Sequence, residues 1–326
     1  MAYADLLGEH ESIRAVRDLI ARIARSPART VLLYGETGTG KGLVARLLHR
    51  LSARAAKPFV DVNCAAIPAS LMESELFGHE RGAFTGAAGA KPGLIEAADG
   101  GTLFLDEIRE MDLQLQAKLL TMLDTQRFRR LGAVKQTAAD VRFVASTNRI
   151  LLSEVKAGRF RDDLYWRLQV VPVNIPPLRA RGDDVLLLAE SFLRHHGERC
   201  GRVIRGLEPR VAEVFRRYSW PGNVRELENL IERIAILETE EQVLVNHLPD
   251  RILREVEGRT APEATEGEGA TFDLRFHEAT DRFQKSLIEK ALREAGGRHG
   301  RAAVRLGLSR HALRHQMQKL GMAVPA

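Results

Sequence analysis

The residues Gly35-Glu36-Thr37-Gly38-Thr39-Gly40-Lys41 follow the apolar run TVLLY (30–34) and lead into the apolar-periodic stretch GLVARLLHRL (42–51). A buried strand, a glycine turn and a helix in that order surround an anion with backbone N–H groups. Lys41 adds a point charge near the β- and γ-phosphates of a nucleotide. Position 42 is Gly, so no hydroxyl is available there for Mg²⁺, and the metal must lean on another group and on water. GGTLFLDEI (100–108) offers that group, a run of apolar and β-branched residues capped by Asp106-Glu107. Carboxylates at a strand's C-terminal end lie where open α/β sheets bind ligands. Asp106 can orient hydrated Mg²⁺ and Glu107 can polarise an attacking water, as hydrolysis of a phosphoanhydride requires.

The flanking pattern supplies the elements that would hold these groups. Ile13, Val16, Leu19, Ile20 and Ile23 share one face of a helix over 11–25. PFVDVNCAAI (58–67) reads as a second buried strand ending in Asn63, and ADVRFVASTNR (139–149) as a further strand ending in Thr147-Asn148. An uncharged polar side chain at 148 could report whether the γ-phosphate is present. Between them MDLQLQAKLLTMLDTQ (111–126) turns Leu115, Leu119, Met122 and Leu123 inward as a helix. Short apolar strands alternating with helices give an α/β fold on a parallel sheet.

The stretch ELFGHERGAFTGA (75–87) has no place in that chemistry. Phe84 and Thr85 are flanked by Gly and Ala, too small to bury anything, so the tip should expose its aromatic and serve as a contact surface.

The chain has 326 residues, room for two or three domains, and a net charge of +6 that permits nucleic-acid binding. Cys64 and Cys200 lack ligand-like spacing, which argues against a disulfide frame or a zinc site and fits a reducing cytoplasm. The first residues show no basic-then-apolar signal pattern and no apolar run approaches membrane length, so membrane insertion is not expected. EVEGRTAPEATEGEGA (255–270) lacks apolar periodicity and reads as a linker. FDLRFHEATDRFQKSLIEKALREAGG (272–297) is a long amphipathic helix, and two short helices follow, the second with Ser309 as N-cap. From Arg298 to Lys319 there are Arg and Lys residues but no Asp or Glu, the electrostatic footprint of a DNA binder. Arg310, His311, Arg314 and His315 lie near the start of the second helix, within reach of bases or phosphates. Ala302, Val304, Leu306, Leu308, Leu313, Met317 and Leu320 make the module's core.

GETGTGKG, ELFGHERGAFTGA, ADGGTLFLDEI, FRDDLYWRL, PPLRARGDD and WPGNVRELEN, in that order, resemble the blocks of the bacterial enhancer-binding activators of sigma-54 RNA polymerase, a branch of the AAA+ ATPases. The resemblance implies an AAA+ core over 1–171, a helical lid over 172–250, a linker over 251–270 and a Fis-type helix-turn-helix over 271–326. It implies that Gly35, Glu36, Thr37, Gly38, Thr39, Gly40, Lys41 and Gly42 cradle ATP, with Mg²⁺ on Asp106 and water activated by Glu107. Asn63 resembles the partner that swings onto that glutamate, Asn148 the first sensor and Arg225 the second. Arg161 and Arg167 resemble arginine fingers that reach into a neighbouring subunit's site, which makes turnover depend on a ring, expected to be a hexamer. Phe84 and Thr85 would contact sigma-54 in RNA polymerase, and the C-terminal module would hold enhancer-like DNA. The family usually carries Glu at position 42, and activity should survive the Gly.

The ATPase pattern begins within the first ten residues. That layout resembles the phage shock protein F type, controlled by a separate inhibitory protein; a longer protein with a sensory region is the alternative. Two rival functions are a DNA-directed AAA+ motor and a nucleotide-switched repressor. Phe84-Thr85 offers no cation for the first, although Arg81 is close, and a pure switch needs no Glu107 or trans arginines.

Overall fold

The computed structural model describes residues 6–258 and, beyond them, isolated positions between 285 and 322. Contacts divide the chain into two compact units, Met1–Thr260 and Ala261–Ala326.

In the first unit five strands form one sheet: β1 (Thr30–Tyr34), β2 (Phe59–Asn63), β3 (Thr102–Asp106), β4 (Arg142–Thr147) and β5 (Pro172–Asn174). Their order is β2-β3-β4-β1-β5 and every pairing is parallel. Alternate residues of the central strands enter cores on opposite faces. Leu103 and Leu105 of β3 pack with Leu115, Leu119 and Met122 of the helix Leu113–Thr125, on the same side as the helix Ala69–Phe77. Phe104 points the other way, into a core with Ile13 and Ile20 of the helix Glu11–Arg25 and Val44 and Leu48 of the helix Lys41–Arg50. Both faces being covered explains why these strands are nearly unbroken apolar runs. At the start of β4, the buried Arg142 donates to the carbonyls of Ile23 (2.7 Å) and Ala24 (3.3 Å), capping the helix Glu11–Arg25.

Two expectations about the sheet are corrected. β2 is not a buried strand: it lies at the sheet edge, pairs on one side, and buries only Val62, while Asp61 faces outward to Arg46 at 2.7 Å. The sheet also continues past 171, because Pro172–Asn174 forms the edge strand β5. Proline is tolerated there as the strand's first residue.

The lid packs the helices Asp184–Arg199, Pro209–Arg217, Asn223–Leu237 and Asp250–Val256 around Trp220, whose Nε1 donates to Phe215 O at 2.8 Å. Its last helix runs into the stretch expected to be linker: Ile252 and Val256 are in the lid core, so the lid does not stop at 250. In the second unit Ala302, Leu313 and Met317 share a core with Ile288, Ala291 and Ala303, as the sequence pattern requires. Ser309, Arg310, His311, Arg314, His315, the other expected core positions and the rest of the linker lie outside the described residues. No helix among the described residues is long and apolar enough to cross a membrane. Cys64 is buried and its thiol is pushed up to about 12 by that burial, which leaves it inert.

Candidate nucleotide site and contact loop

Four of the five strands end at one edge of the sheet on a group of interest: the glycine loop after Tyr34, Asn63, Asp106 and Thr147-Asn148. A cleft of about 370 Å³ opens there, lined by Gly38, Gly40, Lys41, Asp106 and Glu107 and closed on the lid side by Arg225. Gly40 has φ +100° and a Cβ built there would meet nothing within 4 Å, so the loop presents its backbone to open space. Lys41 is nearly buried at the helix N-terminus. Its Nζ donates to Gly35 O (3.0 Å) and Glu36 O (3.4 Å) and lies 3.6 Å from Glu107 Oε1. This set fits a magnesium nucleotide, with N–H donors and an ammonium for phosphate and a hard carboxylate oxygen on Asp106 for the cation.

Asp106 and Glu107 are placed by β4. Ser146, fully buried, donates its hydroxyl to Asp106 Oδ1 and accepts the Glu107 N–H at 3.4 Å. Glu107 sits in the left-handed region at φ +54°, a strained conformation for a side chain of this size and one met at working sites. Its Oε2 accepts from Asn148 N at 3.4 Å and lies 4.0 Å from Arg109 Nε. Asn148 Nδ2 donates to Thr37 Oγ1 at 3.3 Å, and its buried Oδ1 has no partner. A buried acceptor beside the phosphate loop suits a group that takes up a further donor there.

Other expected residues stand apart. Asn63 pairs with Asp106 in the ladder, but its Oδ1 accepts from Ala65 N at 3.0 Å rather than meeting Glu107. Arg161 forms a fork on Asp163 (3.0 and 2.7 Å), and Arg167 pairs with Asp124 at 2.9 Å and donates to Leu123 O at 3.1 Å. Neither lines the cleft of its own chain.

The structure adds residues that motif reading passed over. Arg181 is buried, donates to Thr39 O (3.0 Å) and Pro176 O (2.8 Å), and is pushed down to about 10 by burial. Asn223, fully buried at φ +53°, accepts from Leu178 N at 2.8 Å and donates to Glu36 Oε2 and Thr37 O, both at 3.1 Å. Arg179 makes a fork on Glu36 and holds its carboxyl at about 2, well below the usual carboxylate range. All three lie in PPLRARGDD and WPGNVRELEN, but their partners on the glycine loop are more than a hundred residues away in the chain.

At the loop 82–87, Phe84 is 39% exposed and rests edge-on against His79, ring centroids 5.0 Å apart. Gly82 N donates to Ala87 O (2.9 Å) and Ala87 N to Phe84 O (3.0 Å), so the tip is a turn closed on itself. Beneath it a hairpin joins Arg127–Phe128 to Thr137–Ala138, and Leu131 on that hairpin exchanges backbone bonds with Gly78 and Glu80. Arg130 ties the base together, forked on Glu96 (2.8 and 2.7 Å) and reaching Glu80 at 3.1 Å. Arg81, next to the loop in the chain, and Arg129 and Lys135 on the hairpin are exposed.

Glu238, Glu240 and His247 converge on the lid surface. His247 Nδ1 accepts from Leu244 N at 3.1 Å, and its buried Nε2 lies 3.8 Å from Glu238 and 3.5 Å from Glu240.

Residues 6–174 match the Sigma-54 interaction domain family, 179–265 the AAA+ ATPase lid domain and 280–320 the Fis family of bacterial regulatory proteins. The chain is 43% identical over 318 residues to the regulatory protein LuxO of Vibrio cholerae, covering 97% of this chain and 69% of LuxO. It is 44% identical to AtoC of Escherichia coli (93% of this chain, 64% of AtoC) and 45% identical to the formate hydrogenlyase activator FhlA of the same organism (98% and 45%). It thus spans roughly half to two thirds of the length of these relatives. Among solved structures, NtrX from Brucella abortus in complex with ADP has a TM-score of 0.74 at 36% identity, over 98% of this chain and 69% of that one. The same protein in complex with ATP gives the same values. These comparisons do not single out the phage shock protein F subtype. With a sigma-54 interaction domain built on an AAA+ P-loop core, an AAA+ lid and a Fis-type helix-turn-helix, the chain belongs to the sigma-54-dependent enhancer-binding activators.

Proposed function

We propose that the chain hydrolyses ATP in a cytoplasmic hexameric ring and uses the loop 82–87 to remodel the sigma-54 RNA polymerase closed complex into an open one. The convergence of Lys41, Asp106 and Glu107 on one cleft supports this reading most strongly, with Lys41 Nζ 3.6 Å from Glu107 Oε1. Lys41 and the loop N–H groups of 35–42 hold the phosphates, Asp106 orients Mg²⁺, and Glu107 takes the proton of the attacking water. Bound Mg²⁺ neutralises charge developing on the phosphoryl oxygens. Asn148 and Arg225 sense the nucleotide, and Asn63 turns from its Ala65 contact onto Glu107 to carry that state toward the loop. Arg161 and Arg167 exchange their exposed partners Asp163 and Asp124 for a neighbour's phosphate, a small loss for surface ion pairs. Phe84 and Thr85 meet sigma-54, while Ser309, Arg310, His311, Arg314 and His315 contact enhancer-like DNA.

Steady-state ATP turnover tests it. Glu107→Gln and Arg167→Ala should each lose about a hundredfold or more in kcat, the range of such groups in phosphoryl transfer. Mixing Arg167→Ala with Lys41→Ala should restore part of the activity, because one subunit offers an intact cleft and the other an intact finger. Full turnover by Glu107→Gln, or no recovery in the mixture, would contradict the reading.

A further inference from the structure

The phosphate loop is held to the lid residue by residue. Arg179 Nη1 donates to Glu36 Oε2 at 2.8 Å and Nη2 to Oε1 at 2.5 Å. Asn223 bonds both Glu36 and Thr37, Arg225 N donates to Gly38 O at 3.3 Å, and Arg181 donates to Thr39 O. Gly38 and Gly222 are in direct contact: a Cβ on Gly38 would lie 2.1 Å from Gly222 O. Arg225 lines the cleft from the same turn of the lid that Asn223 anchors.

A carboxylate at position 36 is an electrostatic oddity. It stands in a loop built to surround phosphates and, unpaired, would repel them. In this structure the fork from Arg179 matches that charge one for one. Arg179 and Glu36 are both about half exposed, so the pair is not required to complete a core.

We propose that Glu36 is a positioning residue for nucleotide turnover. Its carboxylate fixes the phosphate loop in register with the lid arginine Arg225, and Arg179 cancels the charge that Glu36 would otherwise present to the phosphates. This rests on the reading of the cleft as an ATP site. The pair has two separable effects. Removing Arg179 bares an anion beside the nucleotide and weakens binding. Removing the charge of Glu36 spares binding but loosens the lid, which lowers kcat.

The test uses the full chain as Arg179→Ala, Glu36→Gln, the double variant and Arg179→Lys. Turnover is resolved into KM and kcat, binding is read with a fluorescent ATP analogue, and circular dichroism checks the fold. Arg179→Ala should raise KM and the analogue's Kd about tenfold, as expected when one partner of a charge pair is left alone, and, with the fork gone, lower kcat several-fold as well. Glu36→Gln should lower kcat several-fold with KM within about twofold, the loop having lost its anchor rather than its donors. The double variant should bind the analogue more tightly than Arg179→Ala, because the bare anion is gone. Arg179→Lys keeps the charge without the fork, and should recover KM but not kcat. Losses that merely add in the double variant, or single variants at wild-type values while wild type turns over ATP, would overturn the role given to Glu36. A wild-type chain that neither binds the analogue nor hydrolyses ATP would instead remove the ATP reading, and this proposal with it.

Discussion

The phosphate loop and the loop at 82–87 are both turns punctuated by glycine, but their surroundings are opposite. A Cβ on Gly38 would strike Gly222 O at 2.1 Å, whereas one on Gly86 would meet nothing within 4 Å. The first loop is shaped by its neighbours: lid side chains, Arg181 and the backbone of the WPGN turn all close on it. The second is shaped by its own backbone bonds and by Phe84 resting on His79, and is held at its base through Glu80, Arg130 and Glu96. A catalytic cradle gains from being over-determined, since reacting groups must stay within fractions of an ångström. A loop that pushes on a partner gains from a firm base and a free tip.

Substitutions that act on one loop and not the other sharpen this contrast. Gly38→Ala should be the most damaging, because overlap with a backbone carbonyl adds to a left-handed φ of +80°. We expect nucleotide binding to vanish and thermal unfolding to show a loss of about 3 kcal/mol or more. Asn223→Ala follows, at about 2–3 kcal/mol, since it leaves the Leu178 N–H buried without its acceptor and puts alanine at φ +53°. Asn223→Gly should recover the backbone part of that loss and not the rest.

Arg130→Ala should leave ATP binding intact while lowering open-complex formation and, modestly, the melting temperature. The pH dependence carries a sign. The Arg130 hydrogen bond holds the Glu96 carboxyl below its ordinary value of 4.5. Its contribution to stability is therefore full above about pH 4.5 and is lost as pH falls through the lower folded value. Melting curves of Arg130→Ala should show less of that acid loss than wild type. The smallest effect belongs to Gly86→Ala. With no collision, only the strain of φ +108° is felt, about 1–2 kcal/mol, and ATP turnover should be unchanged.

Much of the candidate nucleotide site was legible in the sequence because its groups are close in the chain and each element announces itself. The glycine run of 35–40 needs a strand before it and a helix after it, and both are present. Asp106-Glu107 close an apolar strand. What escaped was set by contacts between distant segments. Nothing in PFVDVN says that this strand lies at the edge of the sheet, and nothing in PVN says that it pairs with β1. Ser146 looks like one more strand residue until β4 lies beside β3 and brings its hydroxyl to Asp106. Arg179, Arg181 and Asn223 belong to recognisable blocks, but their service to the phosphate loop depends on how the lid folds back over the sheet. The hairpin 127–138 under the contact loop carries no motif at all, and only its bonds to Gly78 and Glu80 reveal its place.

The most direct measurement is ATP-dependent open-complex formation on a sigma-54 promoter, comparing wild type with Thr85→Ala and recording ATP turnover in the same samples. A rigid engine with a separate free tip predicts that wild type opens the promoter and that Thr85→Ala hydrolyses ATP at a similar rate without opening it. If both proteins hydrolyse ATP and neither acts on the sigma-54 complex, the loop at 82–87 is not the output of this machine and the central claim fails.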